Sequence, residues 1–378
     1  MLLDLVSPHA RAAWRQLVLE VPDALPLSLD LDAGAWAWLV ALCAATTFFS
    51  ARHIFARGGV RQMIRWAATI GLAVSGIGLA QEATASGWMY WRWPPLGEGA
   101  RPFGPFVNRN HFGTWVILAV PLVLGYLAAH ATAHTHRPAK AAAWQARLRL
   151  AADARTIWLT AAIVMMIVAL VVSQSRSSML GLLIALLSGA WVARRQGASR
   201  PGPLRLLAGV MVLAALALFF RVDPAMVTSR MSGVPVGFSG RMMIWRDTLP
   251  VVRDFWLTGT GAGTYDTVML VYQRARPGVR FSQAHNHYLQ LAAEGGLLLG
   301  VPLLLGLIAL CREAVHVMTD DESGMYYVRG GALCGLAGVA AQSLFETGLT
   351  TPANAVLAAI VAAIAVHVPI RAGRPVDS

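Results

Sequence analysis

Lysine is all but missing from this chain: Lys140 is the only one, so nearly all of the 31 basic side chains are arginines. Guanidinium grips phosphate oxygens with a two-pronged fork, so the scarcity of lysine biases the positive charge toward that kind of partner. Charge of either sign is sparse, at 13% of 378 residues, whereas 56% are hydrophobic and the mean hydropathy is +0.56, which excludes a soluble globular fold. Cysteine is rare as well. Cys43, Cys311 and Cys334 fall inside or at the end of apolar runs, which leaves no readable disulfide framework or metal cluster and makes them packing residues. No signal-peptide pattern opens the chain, because Met1 to Asp32 mixes Pro22, Pro26 and scattered acids without a basic stretch leading into an apolar one. Long internal repeats and low-complexity tracts are missing too.

What the chain does have is a series of apolar runs about 20 residues long, the length that crosses roughly 30 Å of hydrocarbon. Uninterrupted rather than alternating runs select helices, the only open structures whose backbone groups are satisfied within a bilayer. The sequence therefore predicts an all-α, polytopic helical membrane protein. Nine spans are expected, at about residues 34–49, 66–83, 112–129, 157–172, 179–193, 206–220, 291–310, 330–345 and 354–368. Arg52, Arg57, Arg61 and Arg65, then Arg137, Lys140, Arg147, Arg149 and Arg155, then Arg194, Arg195, Arg200 and Arg205, and finally Arg312, Arg371 and Arg374 flank these runs. They mark one side as cytoplasmic. The net charge of +12 is thus absorbed by membrane topology, and nucleic acid is disfavoured as a partner. Residues 1–33 read as an extracytoplasmic segment, 34–220 as spans one to six, 221–288 as a large extracytoplasmic loop, 289–370 as the last three spans and 371–378 as a cytoplasmic tail. Trp88, Tyr90, Trp91 and Trp93 suit an interfacial aromatic belt, and Pro138 to Ala154 either a basic interfacial helix or a solvated charge run.

The large loop carries the candidate chemistry. Arg221, Arg230, Arg241, Arg246, Arg253, Arg274, Arg276 and Arg280 outnumber Asp223, Asp247, Asp254 and Asp266, which suits an anionic ligand. Ser282 as helix cap would place His285 in the first turn of the seventh span, where a neutral imidazole can accept a hydroxyl proton; the bland alternative is an interfacial histidine with satisfied hydrogen bonds. A metal pair with His287 is disfavoured because residues two apart face different ways on a helix. Arg241, after a Ser239-Gly240 cap, is expected to open a short helix interrupted by Pro250, as a phosphate clamp or as a surface arginine paired with Asp247. Arg176, in a turn between two spans, is either an anion ligand or a snorkelling side chain. Glu346 either orients a loop group or marks the interface. The glycines of Leu257 to Thr264 resemble a phosphate loop, yet no strand precedes them, so tight turns and close backbone approach to the membrane face are expected instead of a dinucleotide site.

In order along the chain, Asn108-Arg109-Asn110-His111-Phe112-Gly113, Ser173-Gln174-Ser175-Arg176-Ser177, Ser239-Gly240-Arg241 with Trp245, Gly259-Thr260-Gly261-Ala262-Gly263-Thr264-Tyr265, and His285-Asn286 with Tyr288-Leu289-Gln290 and Glu294-Gly295-Gly296 resemble the O-antigen ligase and polymerase superfamily. The resemblance implies a GT-C-like, metal-independent glycosyltransferase without a cofactor. It would move a glycan from an undecaprenyl diphosphate carrier to a hydroxyl acceptor on the periplasmic face of the bacterial inner membrane. That acceptor would be a lipid A core sugar, a growing polysaccharide or a protein. It further implies that Arg176 and Arg241 hold the diphosphate with Arg246 beside them, that His285 is required for transfer, and that Asn110, Asn286 and Glu346 support the site. Nine spans leave the first 33 residues outside with no span before them, so N-terminal spans usual in the family are expected to be missing or the start to lie upstream. The rival from another class is a transporter or flippase of the same lipid, which should carry ionisable groups deep in its spans, whereas these concentrate at one face. An inactive scaffold in a glycan-assembly complex is the third reading.

Overall fold

Helices account for all the regular structure among the described residues. The computed structural model describes residues 6–18, 25–85, 88–94, 101–135, 153–195, 238–275, 280–319, 321 and 323–369. In chain order the helices are α1 (Ala10–Leu17), α2 (Leu31–Arg57), α3 (Val60–Thr84), α4 (Arg109–Thr135), α5 (Ala154–Val172), α6 (Arg176–Arg195), α7 (Phe238–Asp254), α8 (Tyr265–Tyr272), α9 (His287–Thr319), α10 (Met325–Gln342) and α11 (Pro352–Val366). Five of them, α2, α3, α4, α5 and α9, are long and apolar enough to cross a membrane. The chain is a polytopic helical membrane protein. Apolar stretches at 176–191 and 352–366 are shorter, and α10 occupies the expected eighth span with 18 residues. The sixth expected span, at 206–220, the basic segment from Arg137 to Arg149, and Arg221, Arg230 and Arg276 lie outside the described residues.

The helices outrun the apolar runs that predict them, because hydropathy marks only the hydrocarbon-facing stretch while charged residues continue a helix readily. Thus α2 carries Arg52 and Arg57 inside it, and α9 extends to Thr319. The eighth span behaves in the opposite way. Expected to reach Phe345, its helix stops at Gln342, and Ser343 to Thr347 leave the helical path.

The chain divides into two compact units. One comprises 44–218, 310–342 and 353–378, within which α4 packs against α10 and α6, and α3 against α5. Glycines set the closeness of these contacts: a Cβ on Gly125 would lie 2.2 Å from the Tyr327 carbonyl oxygen, and one on Gly331 would lie 2.2 Å from that of Pro121. Small residues let membrane helices approach until backbone meets backbone, gaining dispersion where no hydrophobic effect acts between helices.

The other unit comprises 1–43, 219–309 and 343–352. Its core gathers Ala10, Ala13 and Leu29 from the N-terminal segment with Ile244 and Val251 of α7, Phe255 just after it, and Tyr265, Val268 and Met269 of α8. Within that core Thr248 and Tyr265 share a 2.6 Å hydroxyl hydrogen bond, and the buried Asp247 carboxylate accepts the backbone N–H groups of Arg274 and Ala275 at 2.8 and 2.9 Å. Burial pushes the Tyr265 phenol well above its ordinary range.

Helix α9 is broken at Gly296, whose φ of 52° and ψ of −155° only glycine adopts easily. A break leaves carbonyls on one side and amides on the other without helical partners, and here the glycine-rich segment supplies them. Thr260 and Gly261 N–H donate to the Ala293 and Glu294 carbonyls at 3.0 and 2.9 Å, while Leu297 and Leu298 N–H donate to the Trp256 and Leu257 carbonyls at 2.9 Å each. The Glu294 carboxylate accepts Gly263 and Tyr265 N–H at 2.9 and 3.2 Å. Gly259, Gly261 and Gly263 all have positive φ, and a Cβ on Gly259 would fall 2.1 Å from the Glu294 carbonyl oxygen. The glycines therefore serve tight turns and close approach, but the expected target, the membrane face, is corrected: they approach the broken helix, Ser28, Ala33 and Ala37. With their amides committed in this way, a phosphate loop is excluded at this segment.

Candidate functional site

The site grows out of three pieces of the second unit described above: the start of α7, the bend before α9, and the irregular segment after Gln342. At the bend, His285 has φ 49°, a left-handed conformation rare for a residue with a Cβ. Its neighbours hold it there. Ala284 N–H donates to Gln290 Oε1 at 3.1 Å and the Ala284 carbonyl accepts Trp245 Nε1–H at 3.0 Å. On the other side His287 N–H donates to the Ser343 carbonyl at 2.8 Å, and Asn286 Oδ1 accepts Leu289 N–H at 3.0 Å.

This geometry corrects the expected cap. Asn286, not Ser282, caps the helix, and His285 stands just outside α9 rather than in its first turn. Both residue types cap well; the left-handed turn at His285 decides between them by aiming the Asn286 side chain at the α9 amides.

Arg241 likewise departs from expectation in its local setting. Ser239 and Gly240 lie inside α7, which begins at Phe238, and the helix runs through Pro250 to Asp254 without the expected interruption. Proline removes one donor but need not stop a helix whose face is packed into a core. Asp247 is not the partner of Arg241, being committed to the Arg274 and Ala275 amides.

That partner is Glu346. Its side chain is fully buried; Oε1 accepts Arg241 Nη2–H at 2.8 Å, and Oε2 lies 3.4 Å from His285 Nδ1. The histidine and arginine side chains are 35% and 24% exposed, so the anion is enclosed while both of its partners present a face outward. A carboxylate can only accept, so this contact selects the tautomer with hydrogen on Nδ1 and leaves Nε2 as the basic nitrogen. The 3.4 Å separation is at the outer limit of a hydrogen bond, as contacts that tighten in the reacting complex often are. Thr347, next in sequence, donates its hydroxyl to Gln283 Oε1 at 2.8 Å and fixes the same segment.

The structure thus brings together Arg241, His285 and Glu346, with Asn286 beside them as the cap. Arg246 lies on α7 with its side chain exposed. Arg176 and Asn110 belong to the other unit. There Arg176 is the first residue of α6, with its side chain exposed, and Asn110 Oδ1 accepts the Ser175 hydroxyl at 2.6 Å. Sequence reasoning passed over Trp245, Gln290 and Glu294 as individual site residues. Gln290 Nε2–H donates to Glu294 Oε1 at 3.1 Å, so these two link the His285 bend to the break in α9. The signal for them is the presence of Gln290 and Glu294 in an otherwise apolar run, where polar groups are costly without partners.

A protein-family model described as O-Antigen ligase matches residues 161–304, a range that contains Arg176, Arg241, Arg246, His285 and Asn286 and leaves out Asn110 and Glu346. No curated protein and no solved structure matches the chain. From the fifth helix to the middle of the ninth, then, the chain matches the O-antigen ligase family, the one that the order of its motifs resembles.

Proposed function

We propose that this protein is an O-antigen ligase-like glycosyltransferase, working without a metal ion. It moves a glycan from undecaprenyl diphosphate to a hydroxyl acceptor at the periplasmic face of the bacterial inner membrane. In this reading the chain has about nine transmembrane helices, with residues 221–288 on the periplasmic side. The observation that carries it is the pairing of one buried carboxylate, Glu346, with both Arg241 and His285. An acid that merely marked an interface would have no reason to be enclosed and shared between a base and a cation.

The chemistry follows from the groups. The acceptor hydroxyl gives its proton to His285 Nε2 as its oxygen bonds to the anomeric carbon of the donor. The bond from that carbon to the diphosphate oxygen breaks, and undecaprenyl diphosphate departs with the electron pair. Glu346 holds the imidazole by Nδ1–H and stabilises the imidazolium that forms, the role of the carboxylate in a serine-protease triad. Arg241, fixed by Glu346 through one nitrogen, retains further N–H groups for the departing diphosphate, and Arg246 adds charge on the same helix. Arg176 is assigned to the diphosphate by the family resemblance. A positioned base contributes roughly 10²- to 10⁴-fold, and preorganised cations stabilise the leaving group without reorganising water. The family description favours a lipid-linked glycan as donor in general; a lipid A core sugar is the acceptor proposed here, ahead of a growing polysaccharide or a protein hydroxyl.

The deciding experiment incubates the purified full chain with undecaprenyl diphosphate-linked glycan and each acceptor class in the presence of EDTA. Release of undecaprenyl diphosphate with formation of one glycosylated product is expected, and His285→Ala should abolish it while lipid binding persists. Full activity of His285→Ala would remove the base assignment. Complete loss of wild-type activity on chelation would remove the metal-free mechanism.

A further inference from the structure

Arg176 has an exposed side chain, yet Ser175 and Ser178 on either side of it are buried at 1% and 0% exposure. Gln174, just before them, takes a left-handed φ of 56° to turn the chain from α5 into α6. The serines are held by a closed set of hydrogen bonds. The Ser175 hydroxyl donates to Asn110 Oδ1 at 2.6 Å, and the Ser175 and Ser178 hydroxyls lie 2.6 Å apart. At the last turn of α10, Gln342 closes the set: its Nε2 hydrogens go to the Asn110 carbonyl at 3.1 Å and the Ser178 hydroxyl at 2.8 Å, while its Oε1 accepts the Thr114 hydroxyl at 2.8 Å.

Small residues make room for this arrangement. A Cβ on Gly113 would lie 2.0 Å from Ser178 Oγ, and one on Gly338 would lie 2.6 Å from the Gly181 carbonyl oxygen. Three helices, α4, α6 and α10, therefore meet at a buried polar cluster in which the Gln342 amide uses both donors. Slipping any one helix would leave amide or hydroxyl groups without partners in an apolar setting, so the cluster admits one register.

We propose that Gln342 is a positioning residue for Arg176, fixing the turn from which that guanidinium addresses a lipid diphosphate. The inference rests on the diphosphate role proposed above for Arg176. A long arginine side chain on a loose turn would spread over many rotamers and lose affinity through the ordering it then needs; on a clamped turn that ordering is already done.

The test measures binding of undecaprenyl diphosphate and of undecaprenol, which lacks phosphate, to the full chain in nanodiscs. Gln342→Leu should raise Kd for the diphosphate about tenfold and leave that for undecaprenol unchanged. In an Arg176→Ala background the same change should add less than about twofold, because the group it positions is gone. Gln342→Glu, which keeps the acceptor for Thr114 and when protonated one donor, should recover part of the loss. Equal fold-changes in the two backgrounds, or equal effects on both lipids, would show a purely structural role and overturn the proposal. Unchanged diphosphate binding by Arg176→Ala alone would instead overturn the role of Arg176 itself, a distinct result. If Gln342→Leu fails to fold, Ser178→Ala, a smaller deletion in the same cluster, takes its place with the same expected pattern.

Discussion

Glu346→Gln is the most informative single change at the proposed centre, because it preserves volume while removing the charge and one of the two acceptor oxygens. The carboxylate accepts from Arg241 at 2.8 Å and faces His285 Nδ1 at 3.4 Å. A glutamine in its place can accept from one of these partners, but its amide nitrogen then turns toward the other, donor against donor. One charge-assisted hydrogen bond is lost, worth about 1.5 to 3 kcal/mol. If that interaction is felt mainly when the imidazole becomes cationic, the loss falls on the transition state and slows transfer by about ten- to 150-fold. Some stability should be lost as well, because the Arg241 guanidinium keeps its charge without the carboxylate, offset in part by the desolvation penalty that the amide escapes. The assay is the initial rate of undecaprenyl diphosphate release by purified protein, read beside the thermal midpoint of the same sample. A folded Glu346→Gln variant with a rate within about twofold of wild type would refute the reasoning. So would a rate loss that follows only from a lowered midpoint.

Further outcomes follow from the same geometry. Arg241→Lys keeps the charge but loses the planar fork, so donor KM should rise about tenfold, measured by titrating the lipid-linked glycan. Gly259→Ala should lower the thermal midpoint by a cost above about 1 kcal/mol, because φ is 64° and the new methyl would meet the Glu294 backbone. Asn286→Ala should cost about 1 kcal/mol for the lost cap and also slow transfer, as the His285 bend loosens; paired melting and rate measurements separate the two effects.

Five of the nine expected spans were legible from hydropathy: Gly34 to Phe49 and Leu291 to Leu310, for example, lie within helices that are longer at both ends. Arg241 and His285 were legible as candidates from their place in a basic loop and from motif resemblance. Their meeting at Glu346 was not, since 105 residues separate Arg241 from its partner and only tertiary packing brings them together. The fate of Ser282 and Asn286 shows a second limit. Both are good caps, and the choice turned on a left-handed backbone at His285 that residue type does not forecast. Gln342 was overlooked because one amide in an apolar run carries no pattern of its own; its hydrogen bonds reach Asn110, Thr114 and Ser178, far away in sequence.

The break in α9 bears on how this protein can be dissected. Its exposed backbone groups are closed by Trp256, Leu257, Thr260 and Gly261, so the glycine segment acts as a splint across a fracture in a membrane helix. Anyone excising residues 238–285 as a water-soluble fragment would strip the splint from the bone. The fragment would keep Arg241 and His285 but forfeit the carbonyls of Ala293 and Glu294 that shape its glycine turns, along with Glu346. The proposed chemistry is thus inseparable from the bilayer-spanning part of the chain, and its study calls for the intact protein in lipid.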